Sequence, residues 1–224
     1  MKILGIDTST RMLSLALTDK DKVIFSYKKE AGRKHCVVLL KVLNDLLDKY
    51  RIKKEDIGLF AVGLGPGSFT GLRISLSILK GLVLSLEKKA IGISSLDVIA
   101  GNINQDGYLS VVLDARRGNV YTASYEYKSD KLKRITPYLL INFNDWLKGI
   151  KKKTFVLGDG ISVYNRELLK EENIICLPEK FWYPDAKNLC ALAREKFKKH
   201  GPDNVERLLP LYLYPKECQI KRVG

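Results

Sequence analysis

Read for its hydrophobic periodicity, the chain says nearly the same thing twice. Lys2–Asp7 is a short apolar run ending in an acid, and Met12–Thr18 alternates Leu13, Leu15 and Leu17 against Ser14, Ala16 and Thr18, a period-two strand. Val23–Lys28 gives a third strand. A helix follows from about His35 to Tyr50, then a buried-type strand Ile57–Leu64, a helix Thr70–Leu86 and a strand Ala90–Ile93. Ser94-Ser95-Leu96-Asp97 opens a further helix with capping chemistry. The second half repeats the plan: strands Tyr108–Asp114, Asn119–Tyr127 and Lys133–Ile141, a short helix at Asn144–Gly149, strand Thr154–Leu157, helix Ser162–Lys170, strand Asn173–Leu177 and helix Asp185–His200. Asp7 corresponds to Asp114, and Gly65-Pro66-Gly67 to Gly158-Asp159-Gly160.

A repeat of this kind specifies two similar α/β domains, each a mixed sheet flanked by helices. The polar stretch between Gly101 and Gly107 breaks the apolar pattern, so the expected domains are 1–103 and 104–224, with a C-terminal tail able to pack back on the first. No long linker separates them, and a cleft between related domains is a common ligand site.

Composition removes several classes of function. An acid at position 7 interrupts any signal-peptide core, and the longest apolar stretch, Leu72–Leu86, contains Lys80 and three serines. A cytoplasmic chain with no membrane partner is the expectation. Cys36, Cys176, Cys190 and Cys218 form no C-x-x-C pair, which fits reduced thiols rather than a disulfide framework or zinc ribbon. The net charge of +14 raises nucleic acid as a partner. Residues 1–110 hold 17 Lys and Arg against 11 Asp and Glu, or +6, and residues 111–224 hold 22 against 14, or +8. Charge spread so evenly is that of a lysine-rich solvated surface; it permits contact with RNA without specifying it.

Two segments could hold a phosphate. In Gly63–Arg73, glycines lead from a strand directly into a helix, and the free N–H groups there, with Ser68 and Thr70, make a plausible anion cradle around Gly65 and Gly67. The spacing is neither a Walker loop nor a dinucleotide fingerprint. Asp7-Thr8-Ser9-Thr10 pairs a carboxylate with hydroxyls, as a magnesium-bound phosphate requires. Each segment also reads as a plain turn whose polar groups bond their own backbone. Catalytic machinery is thin: His35 and His200 are the only histidines, with no metal-ligand spacing, no catalytic triad and no nucleophile elbow.

The helices of the first half carry more information. In His35–Tyr50, Val37, Leu40, Leu43 and Leu47 lie apart from Val38, Leu39, Val42 and Leu46. Thr70–Leu86 is also two-sided, with Ser77, Gly81 and Ser85 at i, i+4 and i+8. One apolar stripe covers the sheet; the other either meets a partner or packs inside the protein.

The segments Met1–Thr10, Gly65–Ile74, Lys80-Gly81-Leu82, Ser94-Ser95-Leu96, Leu113-Asp114-Ala115-Arg116, Tyr183-Pro184-Asp185-Ala186 and Pro210-Leu211-Tyr212-Leu213 resemble the TsaB (YeaZ) family over essentially the whole chain. The resemblance implies duplicated actin-like, ribonuclease-H-like domains of the sugar kinase/Hsp70/actin superfamily. It also implies a non-catalytic subunit for synthesis of N6-threonylcarbamoyladenosine beside the tRNA anticodon, the catalyst being the paralogue TsaD with its metal-binding histidine motif. TsaD is then the direct partner, through the two first-half helices. The ATPase TsaE joins the complex, tRNA is engaged indirectly, and the chain pairs with itself when alone. The candidate partner face comprises His35, Val38, Leu39, Val42, Leu46, Leu72, Ser75, Leu76, Leu79, Leu82 and Val83. No cofactor or metal of its own is expected, ATP and magnesium belonging only to the complex; the alternative is a nucleotide-binding ATPase or phosphotransferase using Asp7, Thr8, Ser9, Gly65, Gly67, Ser68 and Thr70. Cys36, Lys41, Ser75 and Asn119 depart from the residues usual in the family at those positions.

Overall fold

A computed structural model describes residues 1–31 and 35–214. Its first sheet comprises β1 (Lys2–Asp7), β2 (Met12–Asp19), β3 (Lys22–Glu30), β4 (Ile57–Gly63) and β5 (Lys89–Ile93), in the order β3-β2-β1-β4-β5. The first three strands are antiparallel hairpin neighbours; β4 and β5 add in parallel through helical crossovers. Those crossovers are α1 (His35–Lys49) and α2 (Phe69–Ser85); a short α3 (Ser95–Ala100) follows β5. Ser94 caps α3 by accepting the Leu96 N–H, a bond placed by the serine at the strand end.

The second sheet comprises β6 (Gly107–Arg116), β7 (Asn119–Lys128), β8 (Lys131–Arg134), β9 (Leu139–Asn142), β10 (Thr154–Leu157) and β11 (Ile174–Cys176). Its order, β11-β10-β6-β7-β8, repeats the first sheet's with α4 (Phe143–Gly149) and α5 (Gly160–Leu168) as connections. The duplicated actin-like arrangement is therefore present. The single strand expected over Lys133–Ile141 is two, β8 and β9, both antiparallel to β7. Between them the Thr136 hydroxyl accepts the Ser124 N–H at 2.8 Å, a place a ladder carbonyl would take, and Pro137 has no N–H to offer.

The chain divides into two compact units, but not at its midpoint. Met1–Asn102 and Tyr183–Pro210 form one; Ile103–Trp182 and residues 211–214 form the other. The expected division into 1–103 and 104–224, with a tail able to pack back on the first, differs in leaving the helix Asp185–His200 with the second half. The reason is α6 (Ala186–His200), which begins at the Asp185 cap and lies on the first sheet. Ala186, Leu189, Cys190 and Ala193 pack with Ile3, Ala16, Leu59, Ala61 and Ile91, and the Ala186 N–H donates to Ser14 Oγ at 2.9 Å. The small residues of β2, which read as a polar face, lie under this helix, so the strand is buried on both sides. The opposite face of the same sheet carries α1 and α2, with Leu4, Ile6, Leu13, Leu15 and Leu17 facing Leu39, Leu43, Leu47, Leu76, Leu79 and Val83. Asp203 covers the β5 edge, donating its N–H to Ala90 and accepting that of Gly92.

Candidate functional site

In the first unit the turn after β1 lies against the loop that enters α2. Asp7 is fully buried. Its Oδ1 accepts the N–H and hydroxyl of Ser9 at 2.8 and 2.7 Å, and its Oδ2 accepts the Ser95 hydroxyl at 2.7 Å. Ser95 Oγ in turn accepts the Gly65 N–H at 3.1 Å, while the Gly65 carbonyl accepts the Ser95 N–H and the Ser94 hydroxyl. The Ser68 N–H donates to the Ser9 carbonyl at 2.7 Å, and the Thr8 hydroxyl donates to the Gly71 carbonyl at 2.8 Å.

Glycine is required at two of these contacts. A Cβ at Gly67 would stand 2.1 Å from the Ser9 carbonyl oxygen, and one at Gly71 2.1 Å from that of Thr8. Ser68 caps α2 by accepting the Gly71 N–H. Thr70 is exposed in the first turn of α2. The structure thus brings Asp7, Thr8, Ser9, Gly65, Gly67, Ser68 and Thr70 into one neighbourhood. Of the groups read as an anion cradle, the Ser68 N–H and the Thr8 hydroxyl bond carbonyls of the chain itself. Ser95, whose sequence position marks only a helix start, is the bridge that periodicity could not reveal.

The candidate partner face separates into two sets. Leu39, Leu72, Ser75, Leu76, Leu79 and Val83 are buried beneath α1 and α2. They belong to the core and are not available to a partner, which corrects their placement on an outward face. Val38, Val42, Leu46 and Leu82 are half-buried and border that core. The His35 side chain lies outside the described residues. Sequence reasoning passed over Ile74 and Ile78, which with Leu82 form an i, i+4, i+8 stripe beside the exposed Ser77, Gly81 and Ser85. Leu84 is 56% exposed, and nothing stands within 4 Å of the place a Gly81 Cβ would occupy. At the start of the helix the Arg73 guanidinium lies 3.8 Å over the half-exposed Phe69 ring. The signal that finds this stripe is the spacing 74/78/82 itself, masked in sequence by the equally apolar stripe 72/76/79/83.

The matching turn of the second unit is built differently. Asp114 Oδ1 accepts the Arg116 N–H at 2.9 Å, its Oδ2 pairs with the Arg116 guanidinium at 3.2 Å, and its own N–H donates to Asp159 at 3.1 Å. Nearby, burial and the neighbouring Tyr214 push the Tyr121 hydroxyl up to about 12. Among the described residues no group of three or more His, Cys, Asp or Glu side chains could hold a metal ion, and no helix is long and apolar enough to cross a membrane.

Comparison with known proteins places this geometry. The family model of TsaD, tRNA N6-adenosine threonylcarbamoyltransferase, matches residues 22–221. The tRNA threonylcarbamoyladenosine biosynthesis protein TsaB of Bacillus subtilis is 33% identical over 228 aligned residues, covering 99% of this chain and 97% of that protein. Its Escherichia coli namesake is 29% identical across 95% of this chain and 94% of its own length. Among solved structures, YeaZ from Pseudomonas aeruginosa superposes with a TM-score of 0.81 at 24% identity, covering 95% of this chain and 99% of that one. The chain, with its duplicated sheets and its interlocked glycine loop, belongs to the TsaB family.

Proposed function

We propose that this protein is the accessory subunit of tRNA N6-threonylcarbamoyladenosine synthesis, docking on the transferase TsaD through the outward side of α1 and α2. The observation that carries the reading is the half-buried stripe Ile74, Ile78 and Leu82 on a helix whose inner stripe already satisfies the core. An apolar helix face flanked by Ser77, Gly81 and Ser85 admits a second helix at close range. The subunit contributes no reacting group; it stabilises the active transferase, and tRNA and ATP engage the assembled complex that includes TsaE. Self-association through the same face competes with the heterodimer.

Reconstitution of tRNA modification with purified components tests this. Wild-type protein is expected to restore threonylcarbamoylation by TsaD, and the double substitution Ile74→Glu with Ile78→Glu to leave only the activity of TsaD without it. Full activity of the double variant would overturn the docking face. Charges at Leu76 or Leu79 would not test it, because both side chains lie in the core and their loss unfolds the unit.

A further inference from the structure

The turn–loop interlock has a role that its place under α2 suggests. Apolar packing of Leu72, Leu76, Leu79 and Val83 holds α2 on the sheet, but such packing is non-directional and leaves the helix free to shift along its ridge. Direction comes from the helix start. Gly65 is held on both its N–H and its carbonyl by Ser94 and Ser95, Ser68 by the Ser9 carbonyl, and Gly71 by the Thr8 hydroxyl. The Gly71 carbonyl also accepts the hydroxyl of Ser75, one turn on and fully buried. Asp7 closes the chain through Ser9 and Ser95. The bonds at Asp7, Thr8, Gly65 and Ser95 are buried and share partners, so a displacement of the helix start breaks several together.

We infer that Thr8, Asp7 and Ser95 are positioning residues for docking: they fix the register of α2 and thereby align the Ile74–Ile78–Leu82 stripe for its partner. The inference rests on the docking reading above. It assigns to a loop that resembles an anion cradle the task of orienting a protein-binding helix.

Thr8→Val removes the hydroxyl while keeping the shape, and Thr8→Ser keeps the hydroxyl. Calorimetric titration with TsaD, at a temperature where circular dichroism shows all variants folded, measures the effect. Thr8→Val is expected to weaken the Kd about tenfold, an effect near 1.4 kcal/mol. Thr8→Ser is expected to stay within about twofold of wild type, a change under 0.5 kcal/mol. Ser95→Ala provides a second entry to the same chain of bonds and is expected to weaken binding as Thr8→Val does. Wild-type affinity in both Thr8→Val and Ser95→Ala, with Ile78→Glu still abolishing binding, overturns the positioning role and leaves the docking reading intact. Wild-type affinity in Ile78→Glu overturns the docking reading and this inference with it.

Discussion

The two units share a strand order and differ at the turn where their sequences look most alike. Each has an acid near the end of its first strand and a glycine pressed against the backbone nearby: a Cβ at Gly67 would stand 2.1 Å from the Ser9 carbonyl oxygen, in the turn beyond β1, and one at Gly158 2.2 Å from that of Val112, inside β6. In the first unit the carboxylate is fully buried and bonds hydroxyls and an N–H. In the second its side chain is 13% exposed and pairs with an arginine that is itself 86% exposed. The helix after the first turn, α2, runs 17 residues; that after the second, α5, runs nine and is non-helical at Tyr164. Both units keep a close glycine approach to the backbone near the acid, but at different places along it. The polar chemistry around that approach diverged with what each turn supports.

The largest break in this comparison comes from glycine. Gly67→Ala forces a Cβ into the Ser9 carbonyl and is expected to cost about 4 kcal/mol, among the heaviest single-residue losses. At Gly118, in the second unit's turn, the nearest atom to an added Cβ is Asn142 Nδ2 at 3.6 Å. There alanine meets only its positive φ, and about 1 kcal/mol is expected. Urea midpoints measured side by side give both values, and equal losses would show that the contact of Gly67 with the Ser9 carbonyl adds nothing.

The acids give the next contrast. Asp7→Ala strands three buried donors and should cost about 3 kcal/mol. Asp114→Ala removes an exposed ion pair and one backbone bond, worth about 1 kcal/mol. A smaller separation belongs to the thiols. Burial pushes Cys190, on the inner face of α6, up to about 12 from its ordinary 9.0, and raises Cys176, on the β11 edge, as well. Cys190 should be alkylated more slowly than Cys176 at pH 8, as peptide-resolved mass spectrometry would show. Because the folded value is the higher one, the stability from keeping Cys190 protonated is full below pH 9 and is lost as pH rises toward 12. The smallest effect lies inside α2: Gly81→Ala has open space and is expected to raise stability by about 0.5–1 kcal/mol.

Much of this was legible in the sequence because periodicity and capping are local. The period-two run of β2, the serine before α3 and the paired acids all appear where the pattern puts them. Three features were not legible, each for a tertiary reason. The segment carrying α6 follows the second half in sequence but packs on the first sheet, and nothing in Ala186–His200 names its neighbour. Helix α2 is apolar on two adjoining stripes, so composition alone could not say that Leu76 and Leu79 face inward while Ile74 and Ile78 border solvent. The carboxylate and glycine loop suit a phosphate or a buried network equally well in sequence, and the bond to Asp7 from Ser95, 88 residues away, has no local signal.

The central claim, that the first unit's helices and not the second's meet the partner, reduces to one paired titration. Ile78 is half-buried on α2, packed against the edge of the first unit's core, and Val163 is 53% exposed on α5, so both glutamate variants are first checked for native circular dichroism. TsaD affinity of the two variants is read by calorimetry against wild type. The account predicts a loss of about a hundredfold or more, near 3 kcal/mol, for Ile78→Glu and wild-type binding for Val163→Glu. Equal binding by both variants, or a loss confined to Val163→Glu, would contradict it.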